Sequence, residues 1–262
     1  MRFEGEYLND EKNGNAKEYN SKGELVFEGK YIKGEKKGQG KEYHDNELIF
    51  EGEYLNNKRW NGKGKEYDKY TDKLIYEGEY LNGEKNGNIK EYNKDNGKLL
   101  IEGEYLNGEK NGIIKEYDRY GELSFEGKYI KGERNGKGKE YHDNELIFEG
   151  EYLNNKKWNG KGKEYNYNNN YYSLIYEGEY LNGERNGKAK VYHNNGNILF
   201  DGEYKNGKWN GIGTEYYKNG KLKYSGEYLD DKWNGKGKEY YQNGKIKYDG
   251  EFLNGQKIKK KK

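Results

Sequence analysis

The stretch "YEGEYLNGEKNG" (Tyr76–Gly87) returns as "YEGEYLNGERNG" (Tyr176–Gly187), with only Lys85 and Arg185 exchanged. Its core, aromatic-acid-Gly-acid-Tyr, can be followed through Gly5, Gly29, Gly52, Gly78, Gly103, Gly127, Gly150, Gly178, Gly202, Gly226 and Gly250. These are eleven copies spaced 23 to 28 residues apart, the period of a repeat architecture in which each unit packs mainly on its neighbours. A second phrase interleaves with the first, written "NGKGKEY" at Asn61, Asn159 and Asn234 and "NGIGTEY" at Asn210. A larger duplication lies on top: residues 27–67 and 125–165 align at an offset of 98 and differ only at Lys36/Arg134, Lys37/Asn135, Gln39/Lys137 and Arg59/Lys157.

Both phrases read as strands. In "LKYSGEYL", Leu222, Tyr224, Gly226 and Tyr228 fall on one face at period two, and Lys223, Ser225 and Glu227 fall on the other. A helix does not fit this alternation, and each interior glycine would cost it roughly 1 kcal/mol. The Asn-Gly pairs in "NGEKNG" and "YQNGK" are turn signals. The unit is therefore a β-hairpin. The glycine inside the first strand is expected to leave a slot for a tyrosine ring of a neighbouring strand. In the second strand, Gly235, Gly237 and Glu239 are expected on the tyrosine face, with Lys236, Lys238 and Tyr240 opposite.

Composition agrees with an aromatic core. Only 30% of the 262 residues are hydrophobic and 37% are charged, yet 31 are tyrosine. A Val/Leu/Ile core cannot be assembled from this, and the aromatic content is too high for a disordered chain. The 49 cations and 47 anions nearly cancel and alternate in sign, which argues against a nucleic-acid partner. The absence of cysteine removes disulfides, thiolate metal sites and a thiol nucleophile. The chain opens directly on a repeat phrase with no apolar leader or membrane-spanning run, so a cytoplasmic location is expected.

The combined pattern "YxGEYLNGExNGxxKEY", present at Tyr76 and Tyr176 and with small departures throughout, resembles the MORN repeat, and more closely its bacterial variant. The resemblance implies an all-β, elongated, single-layer antiparallel sheet of consecutive hairpins. Residues 1–262 would form one array of about eleven repeats, the last incomplete, ending in a Lys-rich tail at residues 257–262. At about 4.8 Å per strand the array would be roughly 100 Å long. The resemblance also implies scaffolding, oligomerisation and sometimes membrane association, and bacterial relatives are often labelled antitoxin-like. The chain departs from the common pattern in having Tyr where many members have Trp at the second aromatic position. It carries no methyltransferase-like or kinase-like segment, which removes the usual enzymatic candidates.

Candidate sites are few. His44, His142 and His193 follow strand tyrosines in separate repeats, and no Ser-His-Asp group is suggested by register. Glu77, Glu79, Glu102 and Glu104 read as ladders opposite lysines, and no loop has an EF-hand-like spacing. No catalytic residue, cofactor site or metal site is expected. Trp60, Trp158, Trp209 and Trp233 each stand two residues before a glycine, where other copies have Lys or Arg. That column is expected to cover the tyrosine row by stacking, with partner binding as the alternative. A tyrosine groove lined by Tyr180, Tyr204 and Tyr228 is a further candidate surface. The insert "NYNNNYYS" (residues 166–173) reads as a long loop whose Tyr171 and Tyr172 could touch a partner, and Lys259, Lys260, Lys261 and Lys262 could touch anionic lipid.

The expected function is a non-enzymatic scaffold that binds a protein, with self-association through edge strands also open. The alternatives are an immunity-like protein for one cognate partner and a peripheral membrane scaffold.

Overall fold

The computed structural model describes residues 2–168 and 171–258; for Tyr167, Asn168 and Tyr171 only the backbone is described. The fold is all-β, and the described residues hold 22 strands and no helix, hence none long and apolar enough to cross a membrane. The chain divides into two units, Met1–Glu133 and Arg134–Lys262. Within each, consecutive strands pair antiparallel with their neighbours in sequence, as Leu25–Ile32 does with Glu35–His44 and Glu35–His44 with Glu47–Leu55. The consecutive-hairpin, single-layer reading holds for each unit.

Turn chemistry sets the hairpins. In Leu74–Leu81 and Glu84–Tyr92 the connection is Asn82-Gly83, with φ of 53° and 81°, the type I′ turn that matches strand twist. The second Asn-Gly of "NGEKNG" is not a turn. Glu79 pairs with Asn86 and Gly78 with Ile89, so Gly87 and Asn88 form a bulge inside the strand. Gly87 takes φ +66° there, and the Glu79 carboxylate fills the space where its Cβ would project.

The glycines do share a face with the aromatics. Gly237 pairs with both Gly226 and Gly250, and Glu239 with Tyr224 and Tyr248. The ring that fills the slot at Gly29 comes from the same strand: a Cβ there would meet Phe27 Cζ at 2.6 Å, while Gly40 lies under both Phe27 and Tyr54. These rings interlock edge to face. Phe27 meets Tyr31 at 5.7 Å and Tyr54 at 5.3 Å, and Phe200 meets Tyr204 at 5.9 Å and Tyr228 at 5.2 Å. Such pairs contribute about 0.5–1.5 kcal/mol each beyond area burial, which is how so polar a chain holds a core.

One repeat breaks the aromatic rule and repairs itself. Ile101 stands where the first aromatic belongs, and the residues on its flanking strands are Ile89 and Ile114 rather than glycine. Both are buried. Volume missing from Ile101 is returned by its neighbours, as close packing requires.

Within the insert, residues 166–168 and 171–173 are strand rather than loop. Lys156–Asn168 and Tyr171–Leu181 continue the hairpin outward, pairing Asn166 with Ser173, Tyr167 with Tyr172 and Asn168 with Tyr171. Residues added in antiparallel register extend the ladder on both strands, so their backbone groups stay paired.

Candidate functional site

Each unit presents two different sheet faces. On the aromatic face a third column covers the rings. Lys36 Nζ lies 3.8 Å above Phe27, Lys85 Nζ 4.1 Å above Tyr76, and Arg185 4.3 Å above Tyr176. Trp209 stacks on Phe200 at 4.2 Å and 3°, and Trp233 on Tyr224 at 4.4 Å and 5°. The stacking expected of this column is therefore present for Trp209 and Trp233, both half-buried.

Trp60 and Trp158 do not belong to it. Tyr54 pairs with Arg59 and Tyr152 with Lys157, where Tyr80 pairs with Lys85 and Tyr204 with Trp209. Eight residues separate Tyr54 from Gly62, against seven between Tyr80 and Gly87. The extra residue makes Trp60 a bulge, so Arg59 lies 4.8 Å over Phe50 in its stead. Trp60 instead packs on the next turn, 3.3 Å from where a Gly83 Cβ would stand, and Trp158 does the same at Gly183.

Beneath the column runs a row of carboxylates that sequence reasoning missed. Glu18, Glu215 and Glu239 are buried, and the row continues through Glu42, Glu91, Glu140 and Glu164. Lys12 and Lys36 meet Glu18 at 2.6 and 3.5 Å, Arg59 meets Glu42 at 2.5 Å, and Lys85 meets Glu91 at 2.8 Å. Burial disfavours the Glu18 anion, but the Lys12 and Tyr31 hydrogen bonds and the Lys36 charge outweigh it and hold the carboxyl below the ordinary range. Val191 replaces the glutamate once, and Arg185 there turns back to Glu164 at 2.5 Å. The readable signal was the glutamate of "KEY" sharing its face with two glycines.

Tyr204 and Tyr228 are buried and Tyr180 half-buried, with the Tyr180 hydroxyl donating to Glu164 at 2.6 Å. The candidate tyrosine groove is thus packed core: the cation and tryptophan column closes it. Burial pushes the Tyr180 and Tyr228 hydroxyls well above the ordinary tyrosine value.

Open grooves lie on the opposite, charged face. One in the first unit, about 520 Å³, is lined by Ile49, Glu51, Lys63, Lys65, Glu77 and Lys90 among others. Its counterpart in the second unit, about 590 Å³, is lined by Ile147, Glu149, Lys161, Lys163, Glu177 and Lys190. Both volumes fall within the 300–1,000 Å³ typical of ligand sites. The acids and lysines alternate across strands, Glu51 facing Lys63 and Lys63 facing Glu79 at 2.9 Å. The expected ion-pair ladder is present, with Lys41–Glu51 at 3.0 Å and Lys115–Glu102 at 3.5 Å.

The model of the MORN repeat matches residues 3–24, 76–88, 125–145, 176–198, 200–221, 224–246 and 248–257. The chain belongs to the MORN repeat family. The unmatched residues 89–124 of this MORN array hold the Ile89, Ile101 and Ile114 exchange. MORN repeats are generally protein- or membrane-binding scaffolds and typically non-catalytic. No curated protein matches the chain.

The remaining candidates are scattered. Tyr172 is exposed, its ring 4.6 Å from His142. The Tyr171 side chain and Lys259 to Lys262 lie outside the described residues. His193 Nε2 is 3.1 Å from the Tyr216 carbonyl. His44, Asp45 and Asp72 come together from two connections, a meeting that no single loop's spacing could announce.

Proposed function

We propose that this MORN array is a non-enzymatic scaffold that binds a partner protein, and that an extended partner segment lies along the charged face. The observation that carries this reading is the pair of equivalent grooves, one per unit, each with the same grid of alternating acids and lysines over glycine backbone. A two-sign grid selects a segment with its own alternating charges and rejects polyanions, because like charges brought face to face cost affinity. The outer faces of Trp209 and Trp233 are a smaller secondary contact.

The test is capture of the partner from the native cell, repeated with two variants. Changing Lys63, Lys65, Lys161 and Lys163 to Gln is expected to abolish capture with the circular dichroism unchanged, whereas Trp209→Lys with Trp233→Lys retains it. The reverse pattern moves the interface to the tryptophan column and defeats this reading. An immunity-like role is its narrower form, in which one cognate protein accounts for all capture. A cytoplasmic location belongs to the same proposal, tested by fractionation.

A further inference from the structure

We infer that His44, Asp45 and Asp72 bind a divalent transition ion of the zinc class. His44 ends the strand Glu35–His44, Asp45 opens the turn that follows, and Asp72 comes from the connection between Lys58–Tyr67 and Leu74–Leu81. One ligand atom from each lies within 4.8 Å of the other two, and His44 Nε2 is 2.7 Å from Asp72 Oδ1. Zinc bonds of about 2.0–2.2 Å to imidazole and carboxylate require ligand atoms roughly 3–4 Å apart. Small rotations of these exposed side chains reach that spacing. One imidazole and two carboxylates supply nitrogen and oxygen donors that zinc accepts, and three protein ligands leave a fourth position for water.

The His44 ring and the Asp72 backbone are each held in place by something other than an ion. The His44 ring stacks on Tyr67 at 4.8 Å and 24°, which aims Nε2 outward to Asp72. The Asp72 amide donates to the Asp68 carbonyl at 2.8 Å. A bound ion would take the place of the direct contact between His44 Nε2 and Asp72 Oδ1.

The duplication supplies an internal comparison. His142 and Asp143 repeat His44 and Asp45 at the offset of 98, and His142 Nε2 lies 3.7 Å from Asp143 Oδ2. Among the described residues, Tyr172 of the next hairpin stands beside His142, its ring 4.6 Å away. Residues 166–173 contain no carboxylate, so the insert offers no counterpart of Asp72.

Titration of the metal-free chain with Zn²⁺ alone, read by calorimetry, is expected to show one ion per chain. Co²⁺ should give a visible absorption band that Zn²⁺ displaces. His44→Ala and Asp72→Asn should each weaken binding at least about tenfold, the loss of a metal-orienting group being commonly 10–100-fold. His142→Ala should change nothing. All three variants alter partly or fully exposed side chains, and circular dichroism checks their fold. Absence of saturable binding, two equal sites, or binding indifferent to both His44→Ala and Asp72→Asn would overturn the inference.

Discussion

Lys223 Nζ lies 2.5 Å from Glu215 Oε1, and this ion pair replaces one that three other repeats make within a single strand. In those three repeats the cation six residues before the glutamate supplies the charge, as Lys12 does for Glu18, Lys85 for Glu91 and Lys110 for Glu116. At Glu215 that position is Trp209, so the cation has moved to the adjoining strand. A bulge at Lys223 turns it to the aromatic face rather than the opposite face that alternation with Tyr224 predicts, and Trp233 Nε1 adds a hydrogen bond at 3.1 Å. Glu239 repeats the exchange, with Trp233 six residues before it and Lys247 at 2.6 Å.

Removing Lys223 should therefore cost more here than a surface lysine does. Lys223→Met is expected to destabilise by about 1–3 kcal/mol, the range for losing a charged hydrogen bond to a buried group. In a Trp209→Lys background the cost should shrink, because Lys at 209 stands where Lys12 and Lys85 do. Denaturant melts of the double-mutant cycle measure the coupling; equal costs in both backgrounds would show that the two positions do not share Glu215.

The glycine slot predicts an overpacking penalty on one face only. A Cβ on Gly202 would lie 2.6 Å from both Phe200 Cζ and Gly213 Cα, and Gly202→Val should destabilise by about 1–3 kcal/mol. Asp201→Asn, on the charged face, should cost under about 0.5 kcal/mol. Thermal melts that rank the two in the opposite order would mean that the ring does not need the space.

At the aliphatic repeat the same packing rule runs backwards. Ile101→Phe adds a ring where Ile89 and Ile114 already fill the slots, so it should destabilise, although phenylalanine is the commoner residue at that position. Changing Ile114 to Gly in the Ile101→Phe chain should recover part of the loss. If both changes are simply additive in calorimetric melts, the three isoleucines do not compensate one another.

Acid and alkali should each unfold the array through identifiable groups. Desolvation opposes ionisation of Glu18, which is buried, and of Glu164, which is half-buried, but both are held below their ordinary 4.5 by the hydrogen bonds and charges of Lys12, Tyr31 and Lys36, and of Arg185 and Tyr180. Their folded values are depressed, so their stabilisation is full above about pH 4.5 and is lost as pH falls through the lower folded values. The buried tyrosines act in the opposite sense. Burial raises Tyr76, Tyr80 and Tyr176 above their ordinary 10.0 and pushes Tyr224 up to about 12. Their stabilisation is full below pH 10 and is lost as pH climbs through the raised values. The exposed tyrosines should ionise first, with the β signal intact, and the remaining tyrosinate absorbance should rise only together with the loss of that signal; ionisation of every tyrosine near pH 10 with the β signal intact would contradict the buried column.

The hairpin, the turn at Asn82-Gly83 and the sharing of one face by glycine and aromatic residues were all legible, because strand alternation and type I′ chemistry are local. The carboxylate row was only half legible. Glu239 could be assigned to the glycine face, but its burial depends on cations that lie on neighbouring strands. The closed tyrosine column and the grooves of the charged face were not legible, since both arise from what lies across strands.

By itself, then, the sequence determined the repeat, its strands, its turns and its aromatic core, through spacings that act within one hairpin. The tertiary structure alone decided which side chain covers which ring. Trp60 looks like Trp209 when counted from the following glycine, yet one extra residue after Tyr54 makes Arg59 the neighbour of Phe50 and sends Trp60 to Gly83. In a pleated sheet a slip of one residue reverses the face that a side chain occupies, and a bulge introduces that slip without altering any local pattern. His44 and Asp72 meet for the related reason that adjacent hairpins bring residues 28 apart in the chain to a separation of 2.7 Å.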